Sequence, residues 1–288
     1  MRAQLSRFEV VQAVNLEHAL TCLAGSPERL TPLAGGTDLY VSLNAGSLAP
    51  GHWLDIWGLE ELRGIREEDG HVVLGALTTY TELRRSELVG RLLPLLAEAA
   101  ATVGAVAIQN RGTLGGNLAN GSPAGDSLPV LLAYDAEVGL ISKRGKRWVP
   151  FAQFYTGYRA SVMAKDELVD QVRVPTAALE SIRKARYVKI GTRSAQAISK
   201  VVAAFALGTD EGGSVNHCRI AYGSMAPTPV RVPAVESALV GHKLDGATIR
   251  EALAALDGAL RPIDDIRSTA RYRRFVASRI LERFLLEA

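Results

Sequence analysis

Apolar and polar positions along this chain follow two periods, and the places where one gives way to the other mark its elements. Residues 7–12 are apolar and extended, residues 16–23 repeat their apolar members at helical spacing, and residues 30–33 make a short strand, so the opening predicts a βαβ unit. The last of these strands runs straight into Ala34-Gly35-Gly36-Thr37-Asp38-Leu39, where Thr37 or Asp38 is placed to cap a helix through Leu43. Residues 53–56 form a further strand, and residues 71–76 another after a turn at Glu67-Glu68-Asp69-Gly70. Between Thr81 and Val103 the pattern is mostly helical, with Leu83, Leu88, Leu92, Leu95 and Leu96 in one apolar stripe that belongs to a core.

The second half continues with a short helix over 127–133, a strand over 137–142, and a tight Arg144-Gly145 turn into Trp148-Val149. Residues 168–174 predict a strand that Pro175 stops, with Asp170, Gln171 and Arg173 facing water. Residues 176–181 then predict a linker between domains. Beyond it, 185–190, 201–207 and 215–222 predict antiparallel strands, and 232–239, 247–256 and 271–286 predict helices. The chain shows no internal repeat.

Composition narrows the function classes. With 288 residues, 48% hydrophobic and 22% charged, the chain can fill two or three cores. A formal charge of +3 is too small to indicate nucleic acid, and Arg271, Arg273 and Arg274 predict only a solvated helix face or a subunit contact. The most apolar stretch, 88–108, is interrupted by Arg91, Pro94 and Glu98 and is a poor membrane span. The first eight residues lack the apolar core of a secretion signal, which points to the cytoplasm. Cys22 and Cys218, the only cysteines, are far apart and without metal-ligand spacing, so the chain offers neither a disulfide framework nor the thiolates of an iron–sulfur cluster.

Two glycine-rich turns carry the candidate chemistry. Gly112-Thr113-Leu114-Gly115-Gly116-Asn117 continues through Ala124-Gly125-Asp126, a run of small and amide-bearing residues that reads either as a turn-rich surface loop or as a wall for a ligand. Glycine admits an anion close to backbone N–H groups, and Asn117, Asn120 and Asp126 offer polar partners for hydroxyls or an amide-bearing ring. No G-x-G-x-x-G fingerprint is present, and residues 241–248, which outline a P-loop, carry Ala247 where its lysine must stand. What remains is a site between two glycine-lined walls, Gly35-Gly36 and Gly115-Gly116, each expected to lend backbone donors to a bridging pyrophosphate, which suits a dinucleotide such as FAD.

The turn Leu33-Ala34-Gly35-Gly36-Thr37-Asp38-Leu39 and the run from Asn110-Arg111-Gly112 to Asp126 closely resemble the FAD-binding medium subunit of the xanthine dehydrogenase and carbon monoxide dehydrogenase family of molybdenum hydroxylases. Gly75-Ala76 with Thr78, Tyr155-Thr156-Gly157-Tyr158-Arg159 and Tyr222-Gly223-Ser224-Met225-Ala226-Pro227-Thr228 fall in the family's order, so the resemblance spans nearly the whole chain. It implies an α+β fold: a non-Rossmann FAD-binding fold of the PCMH and vanillyl-alcohol-oxidase type in two subdomains, 1–58 and 59–176, followed by a C-terminal flavoprotein domain, 177–288, with a three-stranded antiparallel sheet and helices. It implies an oxidoreductase subunit in a hetero-oligomer. Electrons would arrive from 2Fe-2S clusters on a small partner, drained from molybdopterin on a large partner. By position the resemblance implies that Pro32, Leu33, Ala34, Gly35, Gly36, Thr37, Asp38, Leu39, Thr113, Leu114, Gly115, Gly116 and Asn117 line the FAD, that Asp126 meets a polar part of it, and that Val103, Val169 and Lys189 contact the flavin. No metal site is expected. None of the five histidines lies in the glycine motifs, so the FAD would be noncovalent.

On the acceptor side, residues 189–200 hold Lys189, Arg193 and Lys200 with no acidic residue. Two readings stand: a solvated basic loop, or a loop over the flavin where NAD⁺ docks with its phosphates drawn by Arg193 or Lys189. Tyr158 and Arg159 read either as a packed turn or as neighbours of the flavin ring. Tyr80, Trp53, Trp57 and Trp148 are expected in core or interface.

Overall fold

Three sheets and a small ribbon take up the strands in chain order in the computed structural model, which describes residues 8–26, 30–193 and 196–287. Arg7 and Ser194, each within a segment discussed above, lie outside the described residues. The first unit comprises β1 (Phe8–Gln12), α1 (Leu16–Gly25), β2 (Leu30–Leu33), α2 (Thr37–Asn44) and β3 (Gly51–Asp55). Its strands are parallel in the order β1-β3-β2, so β3 inserts between the two strands of the opening βαβ. The Asn15 side chain caps α1 by accepting the His18 N–H at 2.8 Å, and α1 turns Ala19, Leu20 and Leu23 onto the sheet. Leu59, Leu62, Leu77 and Leu168 complete this core from further along the chain, stitching it to the next unit.

The second unit runs through β4 (Ile65–Glu68), β5 (His71–Gly75), α3 (Tyr80–Arg85), α4 (Glu87–Leu92), α5 (Pro94–Thr102), α6 (Val106–Gln109), α7 (Leu114–Asn120), α8 (Leu128–Ala133), β6 (Glu137–Ser142), β7 (Gly145–Pro150), the ribbon β8 (Tyr155–Gly157) and β9 (Ala160–Ser161), and β10 (Leu168–Pro175). Its antiparallel sheet has the order β4-β5-β10-β6-β7. Glu67 and Glu68, expected in a turn, belong to β4, and the turn is left to Asp69 and Gly70. The long helical pattern is three helices, because Ser86 ends α3 and caps α4 through the Val89 N–H, while Pro94 opens α5. Leu83, Leu95 and Leu96 are buried as expected, with Leu88 and Leu92 packed partly over them.

Asp170 was expected to face water and does not. The strand β10 is the middle of five, and Asp170 is buried with Lys146 Nζ 2.5 Å from its carboxylate, while its carbonyl accepts the Ala76 N–H. Its charge is tolerated because it is paired.

The third unit begins with α9 (Thr176–Glu180), a short helix where a linker was expected, followed by β11 (Lys184–Ile190), β12 (Val201–Thr209), β13 (Val215–Gly223), a two-residue β14 (Val230–Arg231), α10 (Pro233–Leu239), α11 (Gly246–Ala259) and α12 (Ala270–Leu286). Asp245 caps α11 through the Ala247 and Thr248 N–H groups, so the P-loop-like segment is an ordinary helix start. Both faces of β12 are covered. Val201, Ala203, Phe205 and Leu207 point into a core shared with α10, α11 and α12, while Ala204 and the Ala221 opposite it point into the core of the second unit, where α8 packs. Alanine on that face lets helix and sheet approach closely. Ion pairs from Asp135, just after α8, to Arg219 and Arg231 pin the same junction.

Candidate functional site

The two glycine walls meet edge to edge. A Cβ built on Gly35 would lie 1.6 Å from the Arg111 carbonyl oxygen, so only glycine lets the β2–α2 turn press on the turn between α6 and α7. Behind this seam the Arg111 guanidinium stacks 3.7 Å over Trp57, which also faces Arg63.

In the first wall, neither Thr37 nor Asp38 caps α2, contrary to expectation. The capping position is Gly36, held left-handed at φ 73° with no side-chain cap bond. As a result the N–H groups of Gly35, Gly36, Thr37 and Asp38 find no hydrogen-bond partner among the described residues. Helix α2 buries none of its side chains, and Tyr40 and Val41 on it are exposed. A row of unpaired donors at the positive end of a helix suits an anion.

The second wall is built differently. Residues 114–120, expected as loop or helix start, form α7 with Thr113 as its N-cap, whose hydroxyl accepts the Gly116 N–H at 3.1 Å. Leu114 N–H goes to the Thr78 carbonyl at 3.0 Å and Gly115 N–H to the Ala76 carbonyl at 2.8 Å. The backbone donors expected of Gly115 and Gly116 are therefore already engaged, which corrects the picture of two equivalent phosphate cradles. Glycine is needed here for packing, since a Cβ on Gly115 would sit 2.6 Å from the Ala76 Cβ.

The polar chemistry of this wall comes from side chains. Asn117 Oδ1 accepts the Ser127 hydroxyl at 2.8 Å. Beside it Asp126 Oδ2 accepts from Lys189 Nζ at 2.6 Å, and the same ammonium donates to the Thr102 carbonyl at 2.8 Å. Both members of this pair are about one-tenth exposed. Burial pushes the Asp126 carboxyl up to about 6 in spite of the ammonium beside it. Its second oxygen, Oδ1, is buried without a hydrogen-bond partner, and so is the Tyr80 hydroxyl. Burial raises the Tyr80 phenol well above its ordinary range; the Ser127 side chain opposes that rise, and the Asp126 and Asp38 carboxylates add to it. Orphaned buried polar atoms call for a partner.

Lys189 is thus committed to Asp126 from the half-buried strand β11, and is not the loop cation expected to draw a dinucleotide phosphate. Val103 follows α5 directly after Thr102, half-buried, and its carbonyl accepts from the buried Gln109 amide at 3.0 Å. Val169 is buried in β10. Pro32 and Leu33 end β2 and, with Ala34 and Leu39, flank the free donors. Tyr158 and Arg159 sit at the tip of the β8–β9 ribbon, both exposed, with Arg159 left-handed at φ 50°. The ribbon itself rests on the end of α7 through Tyr155, whose hydroxyl donates to the Leu118 carbonyl at 2.8 Å. Arg193 lies in the 191–200 loop, where its guanidinium donates to the Gln196 carbonyl.

Sequence reasoning placed Tyr80 in the core and passed over Ser127 and Thr102, because no spacing in the chain brings β11 to the residues after α7. It also set Arg273 on a solvated face or a subunit contact, whereas within the chain Arg273 is buried at 3% exposure. Among the described residues no cluster of His, Cys, Asp or Glu suits a metal ion, and no helix is long and apolar enough to cross a membrane.

Comparison with known proteins agrees with this architecture. Residues 6–177 match the family described as FAD binding domain in molybdopterin dehydrogenase, and residues 186–288 match the CO dehydrogenase flavoprotein C-terminal domain. The glyceraldehyde dehydrogenase medium chain of Sulfolobus acidocaldarius is 33% identical, over 93% of this chain and 94% of its own. The xanthine dehydrogenase FAD-binding subunit of Escherichia coli O157:H7 is 32% identical, over 96% and 94%. Among solved structures, a chain of carbon monoxide dehydrogenase from Hydrogenophaga pseudoflava superposes with a TM-score of 0.90 at 32% identity, covering 97% of this chain and 96% of that one. The chain belongs to the FAD-binding subunits of the molybdenum hydroxylases, and is an FAD-dependent oxidoreductase subunit.

Proposed function

We propose that, as a member of that family, this chain takes electrons from iron–sulfur clusters of a small partner, supplied by the molybdopterin centre of a large partner, and delivers them to NAD⁺ in the cytoplasm. The observation that carries the reading is the pairing of unmet needs across one seam. Free N–H donors of Gly35 to Asp38 face an anion's place on one side, and the orphaned Asp126 Oδ1 and Tyr80 hydroxyl await polar partners on the other. This combination fits FAD, which carries a pyrophosphate, hydroxyls and an amide-bearing ring.

Bound noncovalently there, FAD would supply the exchange between single-electron and two-electron carriers. The residues' own tasks follow from their bonds. The Gly35–Asp38 donors would hold the pyrophosphate, with Pro32, Leu33, Ala34 and Leu39 closing around it. Thr113, Leu114, Gly115 and Gly116 keep the opposite wall rigid and close, and Asn117 orients Ser127. Lys189 holds Asp126 in place and favours its charged form, leaving Oδ1 to accept a proton donor. Val103 and Val169 would exclude water from the ring. With the chain divided into 1–58, 59–176 and 177–288, the cofactor would lie between the first two units.

A second reading keeps the FAD and changes the acceptor. With Lys189 committed to Asp126, and Lys200 Nζ lying 5.4 Å over the Tyr272 ring, the 191–200 loop presents fewer cations to a dinucleotide than the sequence suggested. One experiment separates the two. The purified chain is loaded with FAD and titrated anaerobically with NADH. Bleaching of the flavin absorbance supports the NAD⁺ reading; reduction by a chemical reductant alone supports another acceptor. Failure to take up FAD would overturn both.

A further inference from the structure

Arg273, on α12, is buried at 3% exposure, an unusual place for a guanidinium outside the site already described. One of its terminal nitrogens donates to the carbonyls of Lys200 at 2.9 Å and Ser224 at 3.1 Å, and the other donates to Asp265 at 2.8 Å. Its Nε is buried without a partner. Lys200 and Ser224 belong to two different connections: Lys200 is the last residue before β12, and Ser224 is the first after β13.

Ser224 is held left-handed at φ 62°, a conformation that a non-glycine residue keeps only when its surroundings demand it. The demands are visible. Its N–H donates to the Pro123 carbonyl at 2.8 Å, its hydroxyl donates to the Ser199 carbonyl at 3.0 Å, and its own carbonyl takes Arg273. Ser199 is likewise buried, and its hydroxyl reaches the Ala124 carbonyl at 3.3 Å. Pro123 and Ala124 belong to the short stretch that ends in Asp126. A Cβ on Gly223 would meet the Pro123 carbonyl at 3.1 Å, so the contact between the two units is close as well as bonded.

We infer that Arg273 is a positioning residue for the flavin site: from α12 it fixes Ser199, Lys200 and Ser224 against residues 122–126, and through them sets where Asp126 meets Lys189. It touches neither the cofactor nor its ligands. It acts because a buried guanidinium cannot leave its two carbonyls without exposing three charged or polar groups to an apolar interior. This inference rests on the assignment of Asp126 and Lys189 to the FAD site.

The test uses the full chain with Arg273→Lys and, without disturbing any buried charge, Ser199→Ala. Amide hydrogen exchange is followed across 122–126 and 191–200, with β6 and α11 as internal references, and the FAD dissociation constant is measured for each variant. Expected is faster exchange in both segments together, unchanged exchange in the references, and FAD binding weakened about tenfold, the range of one lost charge-assisted hydrogen bond. A general loss of stability would speed all four regions alike and overturn the inference, as would a change confined to 191–200. If Arg273→Lys does not fold, Ser199→Ala decides by the same criteria. Asp126→Asn distinguishes the two layers: unchanged FAD affinity in that variant means the flavin assignment is wrong, while exchange at 122–126 still judges the Arg273 connection.

Discussion

The Gly35-Gly36 and Gly115-Gly116 turns look interchangeable in sequence, and the fold uses them for opposite ends. At the first, a left-handed glycine opens a helix without a cap and leaves a row of N–H groups unpaired. At the second, the helix is capped by Thr113, its early N–H groups are taken by Ala76 and Thr78, and glycine serves close packing. A glycine pair therefore reports backbone proximity, and only the hydrogen-bond inventory tells whether the neighbour is a ligand or the protein itself.

The contrast can be broken most forcefully at the seam. Gly35→Ala places a methyl 1.6 Å from a carbonyl oxygen, and both walls must separate to admit it. The expected result is a loss of roughly 3 kcal/mol of stability together with most of the bound FAD, read by thermal denaturation and flavin absorbance. A wild-type melting curve would show that the walls are not in register.

Next come the paired substitutions that should separate stability from binding. Gly115→Ala, with its Cβ 2.6 Å from Ala76, should lower stability by roughly 1–3 kcal/mol, yet keep FAD affinity in the fraction that stays folded. Gly36→Ala should cost about 1 kcal/mol of backbone strain but weaken FAD binding by more than that strain accounts for, because it redirects the free donors. Equal effects of the two on affinity, by fluorescence titration, would erase the distinction between the walls.

A pH series probes the side-chain chemistry of the second wall. The Asp126 carboxyl is raised in the fold to about 6, against an ordinary value of about 4. The sign follows: the folded apo chain binds this proton better than the unfolded chain does, so the group's contribution to stability is full below about 4 and is lost as pH rises through about 6. FAD affinity should move the other way, falling as pH drops through about 6 and Oδ1 loses its character as a charged acceptor. Asp126→Asn should flatten both profiles, measured by chemical denaturation and FAD titration. The smallest effect is expected of Thr113→Ala, which removes the cap of α7 at a cost of about 1 kcal/mol and should leave the affinity for FAD nearly intact.

Much of the architecture was legible in the pattern of its elements. The strands β6 and β11 to β13 read as short β-rich runs bounded by turn residues, β12 as a continuous apolar run because both its faces are covered, and α11 and α12 carry helical stripes. Short elements with mixed chemistry were harder to read. Helix α7 is made of Leu, Gly, Asn and Ala, and its glycines and asparagines argue against a helix until Thr113 and the carbonyls of Ala76 and Thr78 are in place. Asp170 looked solvent-facing because its partner Lys146 comes from a strand that sequence spacing does not connect to it. The site was legible in its glycines and in Asp126. The Asp126–Lys189 pair was not, since 63 residues separate its members.

The alanine face of the C-terminal sheet, at Ala204 and Ala221, bears on how the molecule assembles in time. One side of that sheet is dried by α10, α11 and α12, which all follow it in the chain. The other side waits for α8, formed some seventy positions before β12. A fragment severed at 176–181 would retain its helical layer and carry a small-residue apolar surface with nothing to cover it, so it should self-associate. In the intact protein that surface is covered by α8 of the N-terminal portion.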